Sequence, residues 1–319
     1  MDHNLVTNWK LRRRRRKIKR VIRISLFILI VIGILVIFNQ FSLKKNDSVG
    51  LVTSAIKGAQ SVQTEDDSLK LVVENALEET KGTYGIVIKN LKTGESYFAN
   101  EHRIFEAGSL YKLWTMAVVY QQIQSGELQK EQVLSEDIAT LNQEFDIDPD
   151  KAEQTEGTIA LTVNSALTQM ITISHNYAAL LLTQKVKLSS VAAFLQENGL
   201  MESTVGTNGA SPTVTPADTA FFLEKLYKGE LASQEYSQEM IELLKNQKLN
   251  DGLSKYLPDQ SKVAHKTGDI GWFKHDGGIV FTEAGDYIIM VMSESDSPAG
   301  AQERIALISK AVYDYFNKK

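Results

Sequence analysis

The sequence predicts an α+β fold in which one antiparallel sheet is flanked by helices and carries an inserted all-helical lobe, with a transmembrane helix before it. Strand patterns occur in two groups, near residues 84–100 and 263–293, and helical periods dominate the long stretch between them. This order differs from the alternation of strand and helix that builds a parallel sheet, so both ends of the domain are expected to meet in one sheet. The 319 residues, 43% of them hydrophobic, suffice for one sizeable core.

The N-terminal segment joins a basic tail to an apolar run. Five consecutive arginines, Arg12 to Arg16, come shortly before the apolar core Ile24 to Phe38. With its apolar flanks this run reaches about 20 residues, near the minimum for a spanning helix, and basic residues before such a helix hold the N-terminus in the cytoplasm. We expect a cytoplasmic tail over residues 1–22, a transmembrane signal-anchor over 23–43 and a polar linker over 44–68.

Residues 69–319 are then expected to form a domain outside the cytoplasm, on a protein that crosses the plasma membrane once. A cleaved signal peptide is the rival interpretation, but residues 38–42 offer no small-x-small cleavage site. The basic run could also bind nucleic acid. However, residues 1–23 hold ten of the 35 basic and one of the 39 acidic residues, which leaves 25 basic against 38 acidic residues and a net charge of −13. This acidic remainder argues against a nucleic-acid partner.

The first part of the domain is predicted to hold a helix, a strand pair and a second helix. Residues 71–80 have a helical period, and Tyr84–Asn90 and Ser96–Asn100 are typical of strands joined by a short turn. A helix from Ser109 to about Ser125 follows and is closed by a glycine. Residues 140–158 are acidic and irregular.

The second part is predicted to hold the helical lobe and the remaining strands. Helical periods continue over residues 161–196 and resume at Pro216 to Leu226, where Thr215 is the expected N-cap. A final amphipathic helix carries Ile305 and Ile308 on its apolar face. Three strand patterns precede that helix: Val263–Thr267, Gly277–Thr282 and Tyr287–Ser293.

Three short motifs occur in a fixed order: Ser109-Leu110-Tyr111-Lys112, Ser174-His175-Asn176 and Lys266-Thr267-Gly268. The S-x-x-K pattern recurs at Ser42 and Ser54, and K-T-G recurs at residues 92–94. Those copies fall at the membrane edge, in the linker and in a hairpin turn, where the residues need no chemical explanation. The pattern at Ser109 instead lies between a strand pair and an apolar helix.

Ser109 and Lys112 have the spacing of a nucleophile and its base. Three positions apart, they share one face of the predicted helix, whose N-terminus offers free N–H groups and positive potential to an oxyanion. A serine hydroxyl is a poor nucleophile until a base removes its proton, and a lysine in a desolvated cleft among other cations has its pKa lowered enough to serve. An N-cap serine beside a surface lysine is the simpler alternative, and the two other motifs argue against it.

With these motifs the sequence resembles the class A β-lactamases and their relatives among the penicillin-binding D,D-peptidases. The resemblance covers about residues 70–319 and implies the β-lactamase/transpeptidase-like α+β architecture and a serine hydrolase that forms an acyl-enzyme. Further matching segments surround the motifs: Phe105–Ser109, Gln124–Leu128, Met170–Asn176, Val214–Pro216, Ala264–Gly268 and Asp276–Val280.

Carried over by position, the resemblance implies four catalytic residues. Ser109 is acylated, and Lys112 acts as its base or proton relay. Ser174 passes the proton to the leaving nitrogen, while Asn176 orients Lys112 and the substrate amide.

The same resemblance implies the substrate contacts. Lys266 and Thr267 line the substrate carboxylate from the edge of a strand, and Gly268 permits close approach of the backbone. The backbone N–H groups of Ser109 and Asp269 form the oxyanion hole.

Two departures from the family pattern bear on turnover. His175 stands where the family usually has Asp. The E-x-x-L-N segment, whose Glu activates the deacylating water in class A β-lactamases, is absent from the 40-residue interval between Asn176 and Pro216. Glu197 and Glu202 lie in this interval without the family's spacing; either could replace the base, but surface carboxylates are the expectation. An acyl-enzyme is therefore expected to hydrolyse slowly.

No metal and no other cofactor is expected. His265 and His275 lack ligand spacing and a carboxylate at a suitable position, and a chain without cysteine has no thiolate site. His265 is interpreted as a strand residue. Trp272 and Phe273 could wall the cleft or pack in a hairpin, and the sequence leaves both open.

The sequence thus predicts a membrane-anchored extracytoplasmic serine hydrolase, acylated at Ser109 by β-lactams or cell-wall-like amides. The alternatives are a penicillin-recognising binding module that acylates without turnover and a D,D-peptidase. A degenerate structural relative is disfavoured by the intact motifs. The expected partners are a small-molecule or peptide substrate and the membrane, and the chain is expected to be a monomer.

Overall fold

The computed structural model describes residues 66–207 and 210–318. The predicted cytoplasmic tail, the signal-anchor and residues 44–65 of the predicted linker lie outside these residues, so they stay predictions. Within the two described ranges, no single helix is long and apolar enough to span a membrane. One bent pair of helices, Asn176–Val186 and Leu188–Glu197, meets the limits of length and composition only when its members are taken together, and they are bent by 80°.

The elements follow in the order of the chain. The helices are α1 (Asp66–Leu77), α2 (Lys112–Ser125), α3 (Ile138–Glu144), α4 (Val163–Thr172), α5 (Asn176–Val186), α6 (Leu188–Glu197), α7 (Pro216–Lys228), α8 (Gln234–Lys245) and α9 (Pro298–Asn317), with 3₁₀ turns at Gly108–Tyr111 and Gln260–Lys262. The strands are β1 (Thr83–Asn90), β2 (Ser96–Ala99), β3 (Phe105–Glu106), β4 (Val133–Asp137), β5 (Thr158–Thr162), β6 (Thr213–Val214), β7 (Val263–Ile270), β8 (Phe273–Val280) and β9 (Tyr287–Glu294).

One antiparallel sheet of five strands, in the order β2-β1-β9-β8-β7, joins the two strand groups of the sequence. β1 lies beside β9, with Ile86 opposite Val291 and Ile88 opposite Ile289. Successive residues of a strand point to opposite faces, and both faces of these strands are buried. The two groups therefore meet in one sheet as predicted, and burial on both faces explains their unbroken apolar runs.

Helices cover the two faces of the sheet. On one face α1 and α9 contribute a core that includes Leu69 and Ile305. On the other face the core is built around α2, where Trp114 packs edge-on against Phe222 of α7 with 4.9 Å between ring centroids. Residues 112–120 of α2 are all buried, because other elements surround this part of the helix.

The helical lobe is divided into more separate elements than the sequence predicted. The helical period expected from residue 161 starts inside β5, which pairs with β4. The remaining stretch divides into α4, α5 and α6, since Ser174 and Lys187 adopt left-handed φ angles of 57° and 71°. A residue in this conformation does not continue a right-handed helix. Helices α3 and α8 and the two small strand pairs, β3 with β6 and β4 with β5, were not predicted, and α3 occupies the start of the stretch 140–158 that was expected to be irregular.

The chain also enters α2 differently from the prediction. Ser109 lies in the 3₁₀ turn Gly108–Tyr111, called the Ser109 turn below, and the α-helix begins at Lys112. Gly108 has a φ of 49°, a conformation that glycine adopts without steric cost. The chain can therefore turn sharply from β3 into the helix.

Candidate active site

The Ser109 turn lies against β7, which is one of the two edge strands of the sheet. A Cβ atom on Gly108 would lie 2.7 Å from the backbone N of Asp269, and one on Gly268 would lie 2.8 Å from the backbone O of Ala107. A side chain at either glycine would therefore push the two segments apart. This close approach brings the first and third motifs together.

Lys112 connects the first motif to the second. Its side chain is fully buried. The Nζ atom donates to the backbone O of Ser174 at 2.6 Å and to Oδ1 of Asn176 at 2.7 Å, and it lies 3.1 Å from Oγ of Ser174. All three of these oxygens are uncharged, so the amine is held by hydrogen bonds without a counterion among them.

Lys266 reaches the same point from β7. Its side chain is also fully buried. Its Nζ atom lies 3.1 Å from Oγ of Ser174 and donates to the backbone O of Thr267 at 2.9 Å. The Ser174 hydroxyl therefore lies between two lysine amines, and all three motifs converge on one cleft.

Burial lowers the pKa of both lysines. The pKa of Lys112 falls from 10.5 to about 6, because desolvation disfavours the charged form and Lys266 adds repulsion, against an opposing effect of Glu153. Desolvation lowers the pKa of Lys266 to about 7, against an opposing effect of Asp276. At pH 7 Lys112 is therefore mainly a neutral amine.

A neutral Lys112 amine fits its surroundings. It has two hydrogens and one lone pair, and the carbonyl oxygens of Ser174 and Asn176 can only accept. Donation of both hydrogens to these oxygens leaves the lone pair free for the proton of a hydroxyl group. Lys112 can therefore act as a base toward a serine at neutral pH.

Ser109 is half-buried on the turn that precedes Lys112. No hydrogen bond joins its hydroxyl to Lys112 in the described part of the chain, where the amine is engaged by Ser174 and Asn176 instead. The expectation of one shared helical face is wrong in detail, since Ser109 is not in the α-helix. Ser109 and Lys112 are nevertheless three positions apart across the junction of the 3₁₀ turn and the α-helix, and side chains at this spacing lie on the same side in both kinds of helix.

The second motif forms a strained turn into α5. Ser174 has a φ of 57°, which costs free energy for a residue other than glycine and is typical of functional sites. His175 caps α5, because its Nδ1 accepts the backbone N–H of Ala178 at 3.1 Å. An aspartate at this position could accept the same bond, which explains how histidine can replace it.

Glu153 is a residue of the site that the sequence analysis missed. Its Oε1 accepts a hydrogen bond of 2.6 Å from Nδ2 of Asn176. Its carboxylate also raises the pKa of Tyr111 in addition to the larger effect of burial. The acidic character of residues 140–158 was the only signal, because no motif spacing marks Glu153.

Glu197 and Glu202, the two carboxylates considered as substitute bases, lie away from the motif residues. Glu197 lines a cavity with Gln121, which is nine residues or roughly 13 Å along α2 from Lys112. The carboxylate of Glu202 lies 3.1 Å from Nδ1 of His102 on the exposed surface. Both therefore behave as surface carboxylates in this structure.

His265 and His275 are buried strand residues. His265 lies on β7 with its Nδ1 2.8 Å from Oδ1 of Asp276. His275 on β8 donates from Nε2 to the backbone O of Glu106 at 2.8 Å, and burial lowers its pKa to about 4. The neutral His275 thus ties the sheet to β3, which leads into the Ser109 turn. In the described ranges no three His, Asp or Glu side chains are grouped so that they could hold a metal ion.

The two aromatic residues after the third motif, Trp272 and Phe273, have different surroundings. Phe273 begins β8 and packs beside His275, with 6.0 Å between ring centroids. Trp272 lies in the turn between β7 and β8 and is 59% exposed. Phe273 therefore packs within the hairpin, and Trp272 projects from its end.

Comparison with known proteins agrees with this geometry. A profile of the family described as "Beta-lactamase enzyme family" matches residues 68–316. Curated proteins give no match. Among solved structures, the β-lactamase from Sphaerobacter thermophilus DSM 20745 is 25% identical with a TM-score of 0.69, over 79% of this chain and 98% of that chain.

Two structures of PBP-A have the same fold. PBP-A itself is 22% identical with a TM-score of 0.69, over 79% of this chain and 97% of that chain. A PBP-A mutant in an acyl-enzyme complex with penicillin G is 23% identical with a TM-score of 0.68, over the same shares of the two chains. The predicted α+β fold of the domain is confirmed, and the chain belongs to the β-lactamase enzyme family, as a serine hydrolase of the class A β-lactamase and penicillin-binding type.

Proposed function

We propose that this chain is a membrane-anchored enzyme with its catalytic domain outside the cytoplasm. It is acylated at Ser109 by β-lactams or cell-wall-like amides, and its acyl-enzyme hydrolyses slowly. The observation that carries the proposal is the position of the Ser174 hydroxyl between the buried amines of Lys112 and Lys266, beside the Ser109 turn. One cleft then holds a neutral base, a hydroxyl that can relay a proton and a cation for a carboxylate.

Acylation begins when Oγ of Ser109 attacks the carbonyl carbon of the amide. Lys112 accepts the hydroxyl proton, because its amine is mainly neutral at pH 7. The negative charge that develops on the carbonyl oxygen is stabilised by the backbone N–H groups of Ser109 and Asp269. The close approach at Gly108 and Gly268 supports this pairing of backbone groups.

The leaving nitrogen receives the proton through Ser174. Its hydroxyl lies 3.1 Å from the Lys112 amine, so it donates its own proton to the nitrogen and takes the proton of Lys112 as the C–N bond breaks. Lys266 and Thr267 bind the carboxylate of the substrate. A bound carboxylate stabilises the charged form of Lys266 and raises its pKa again.

The proposed slow hydrolysis of the acyl-enzyme rests on the segment between α5 and α7. In the described part of this interval, no carboxylate is hydrogen-bonded to Lys112 or Ser174. The carboxylate of Glu153, which lies outside this interval, is bonded to Asn176 and not to either of these residues. General-base assistance typically contributes about 10²–10⁴-fold, so attack by water stays slow without a carboxylate bonded to Lys112 or Ser174. A D,D-peptidase and a binding module without turnover are both acylated in the same way. They differ only in how fast water hydrolyses the acyl-enzyme.

Penicillin is expected to form a stable covalent adduct at Ser109. Opening of the lactam ring adds the mass of one penicillin to the wild-type protein and nothing to Ser109→Ala, and mass spectrometry over time follows its decay. Ser125→Ala, at the far end of α2, is the matched control and should still form the adduct. Rapid hydrolysis that is lost in Glu197→Gln or Glu202→Gln would contradict slow release, and wild-type protein without an adduct would contradict β-lactam acylation.

The acylation rate is expected to have a maximum between about pH 6 and about pH 7. It rises as Lys112 loses its proton near pH 6 and falls as Lys266 loses its charge near pH 7. Lys266→Arg should move only the falling limb to higher pH, because a guanidinium stays charged. Second-order rate constants for acylation measured against pH test this, and an unchanged falling limb in Lys266→Arg would contradict the role of Lys266.

The catalytic domain is expected outside the cytoplasm. Protease added to intact cells should cut the polar linker over residues 44–68 and release a fragment that contains Ser109, while a cytoplasmic marker protein stays intact. Protection of this domain in intact cells, followed by digestion in permeabilised cells, would show the opposite topology.

A further inference from the structure

Glu153 places a negative charge beside the residue that orients the acyl side of the substrate. Asn176 uses Oδ1 to accept from Lys112 at 2.7 Å and Nδ2 to donate to Glu153 at 2.6 Å. Under the proposed function, the Asn176 amide also binds the amide group on the acyl side of the scissile bond. The carboxylate of Glu153 is therefore one hydrogen bond away from that part of the substrate.

The charge of Glu153 has no salt-bridge partner among the described residues, and it acts on the pKa of Lys112 without forming an ion pair with it. Its side chain is exposed, and no lysine, arginine or histidine of the described residues forms a salt bridge with it. The surrounding segment, residues 144–156, contains six acidic residues and one basic residue, Lys151. A cation in the cleft would thus find a carboxylate that is bonded to the neutral amide of Asn176 and to no cation of the described residues.

A positive charge, that of Lys266, lies on the other side of the same cleft. Lys266 is fully buried on β7, where the proposed function places the carboxylate of the leaving group. Ser174 and Asn176 separate this cation from Glu153, since Ser174 contacts Lys266 and Asn176 contacts Glu153. The cleft is therefore positive on the leaving-group side and negative on the acyl side.

We propose that Glu153 is a specificity-determining residue that favours substrates with an ammonium group on the acyl side of the scissile amide. Together with Lys266 it selects zwitterionic substrates, which carry a carboxylate on the leaving-group side and an amine on the acyl side. A peptide whose acyl-side residue has a free amino group belongs to this class. The inference rests on the proposed acylation at Ser109 and adds the substrate class.

Three penicillins that differ in the charge of the acyl side chain test this inference. Ampicillin carries an ammonium group there, benzylpenicillin carries no charge and carbenicillin carries a carboxylate. Acylation rate constants are measured by mass spectrometry on the full-length protein in detergent, for the wild type, Glu153→Gln and Glu156→Gln. Gln at position 153 keeps an oxygen that accepts from Asn176 and removes only the charge, and Glu156 is an exposed carboxylate of the same segment that serves as the matched control.

The wild type is expected to react fastest with ampicillin and slowest with carbenicillin, with steps of about three- to fivefold, the size of an exposed charge interaction. Glu153→Gln should bring the three rates to within about twofold of one another, while Glu156→Gln keeps the wild-type order. Added salt should compress the wild-type differences, because it screens exposed charges.

Two outcomes would overturn the inference alone. One is a wild-type order that survives in Glu153→Gln. The other is a change of all three rates by the same factor, which would mean that Glu153 acts on Lys112 through Asn176 and not on substrate charge. If the wild type is acylated by none of the three compounds, the proposed function fails together with the inference.

Discussion

The site depends on the burial of two lysine amines in one cleft, each held by neutral oxygens. Neither Lys112 nor Lys266 forms a salt bridge with any of the described residues. The fall of the Lys112 pKa from 10.5 to about 6 means that the site destabilises the ammonium form relative to the amine by roughly 6 kcal/mol, compared with a lysine in water. The apolar cores on both faces of the sheet stabilise the domain against this cost.

The two lysine amines reach the cleft from different elements of the fold. Lys112 comes from the first turn of α2, a helix enclosed by the helical lobe, and Lys266 comes from the edge strand β7. They meet because Gly108 and Gly268 let the Ser109 turn approach β7 without a Cβ atom between the backbones. The Ser174 hydroxyl then joins the two amines, so each motif depends on the position of the other two.

Much of this arrangement could be predicted, because local patterns determine it. The strand groups, the N-cap at Thr215 and the glycine that closes α2 follow from periodicity and capping preferences, and the structure contains all of them. The 3₁₀ turn at Ser109 and the break at Ser174 could not be predicted, since each depends on a left-handed φ that tertiary contacts impose. Glu153 was missed because its bond to Asn176 links residues 23 positions apart through an irregular segment. The catalytic roles carried over from the family stay predictions.

A neutral Lys112 amine at pH 7 is what acylation of Ser109 requires. A pH titration of the Lys112 side-chain resonance measures this directly in protein labelled with isotopes at lysine, with Lys112→Arg to assign the signal. The titration midpoint is expected near pH 6. A midpoint near the ordinary lysine value of 10.5 would show that Lys112 is an ammonium ion in the resting enzyme, and Lys112 could then not be the base.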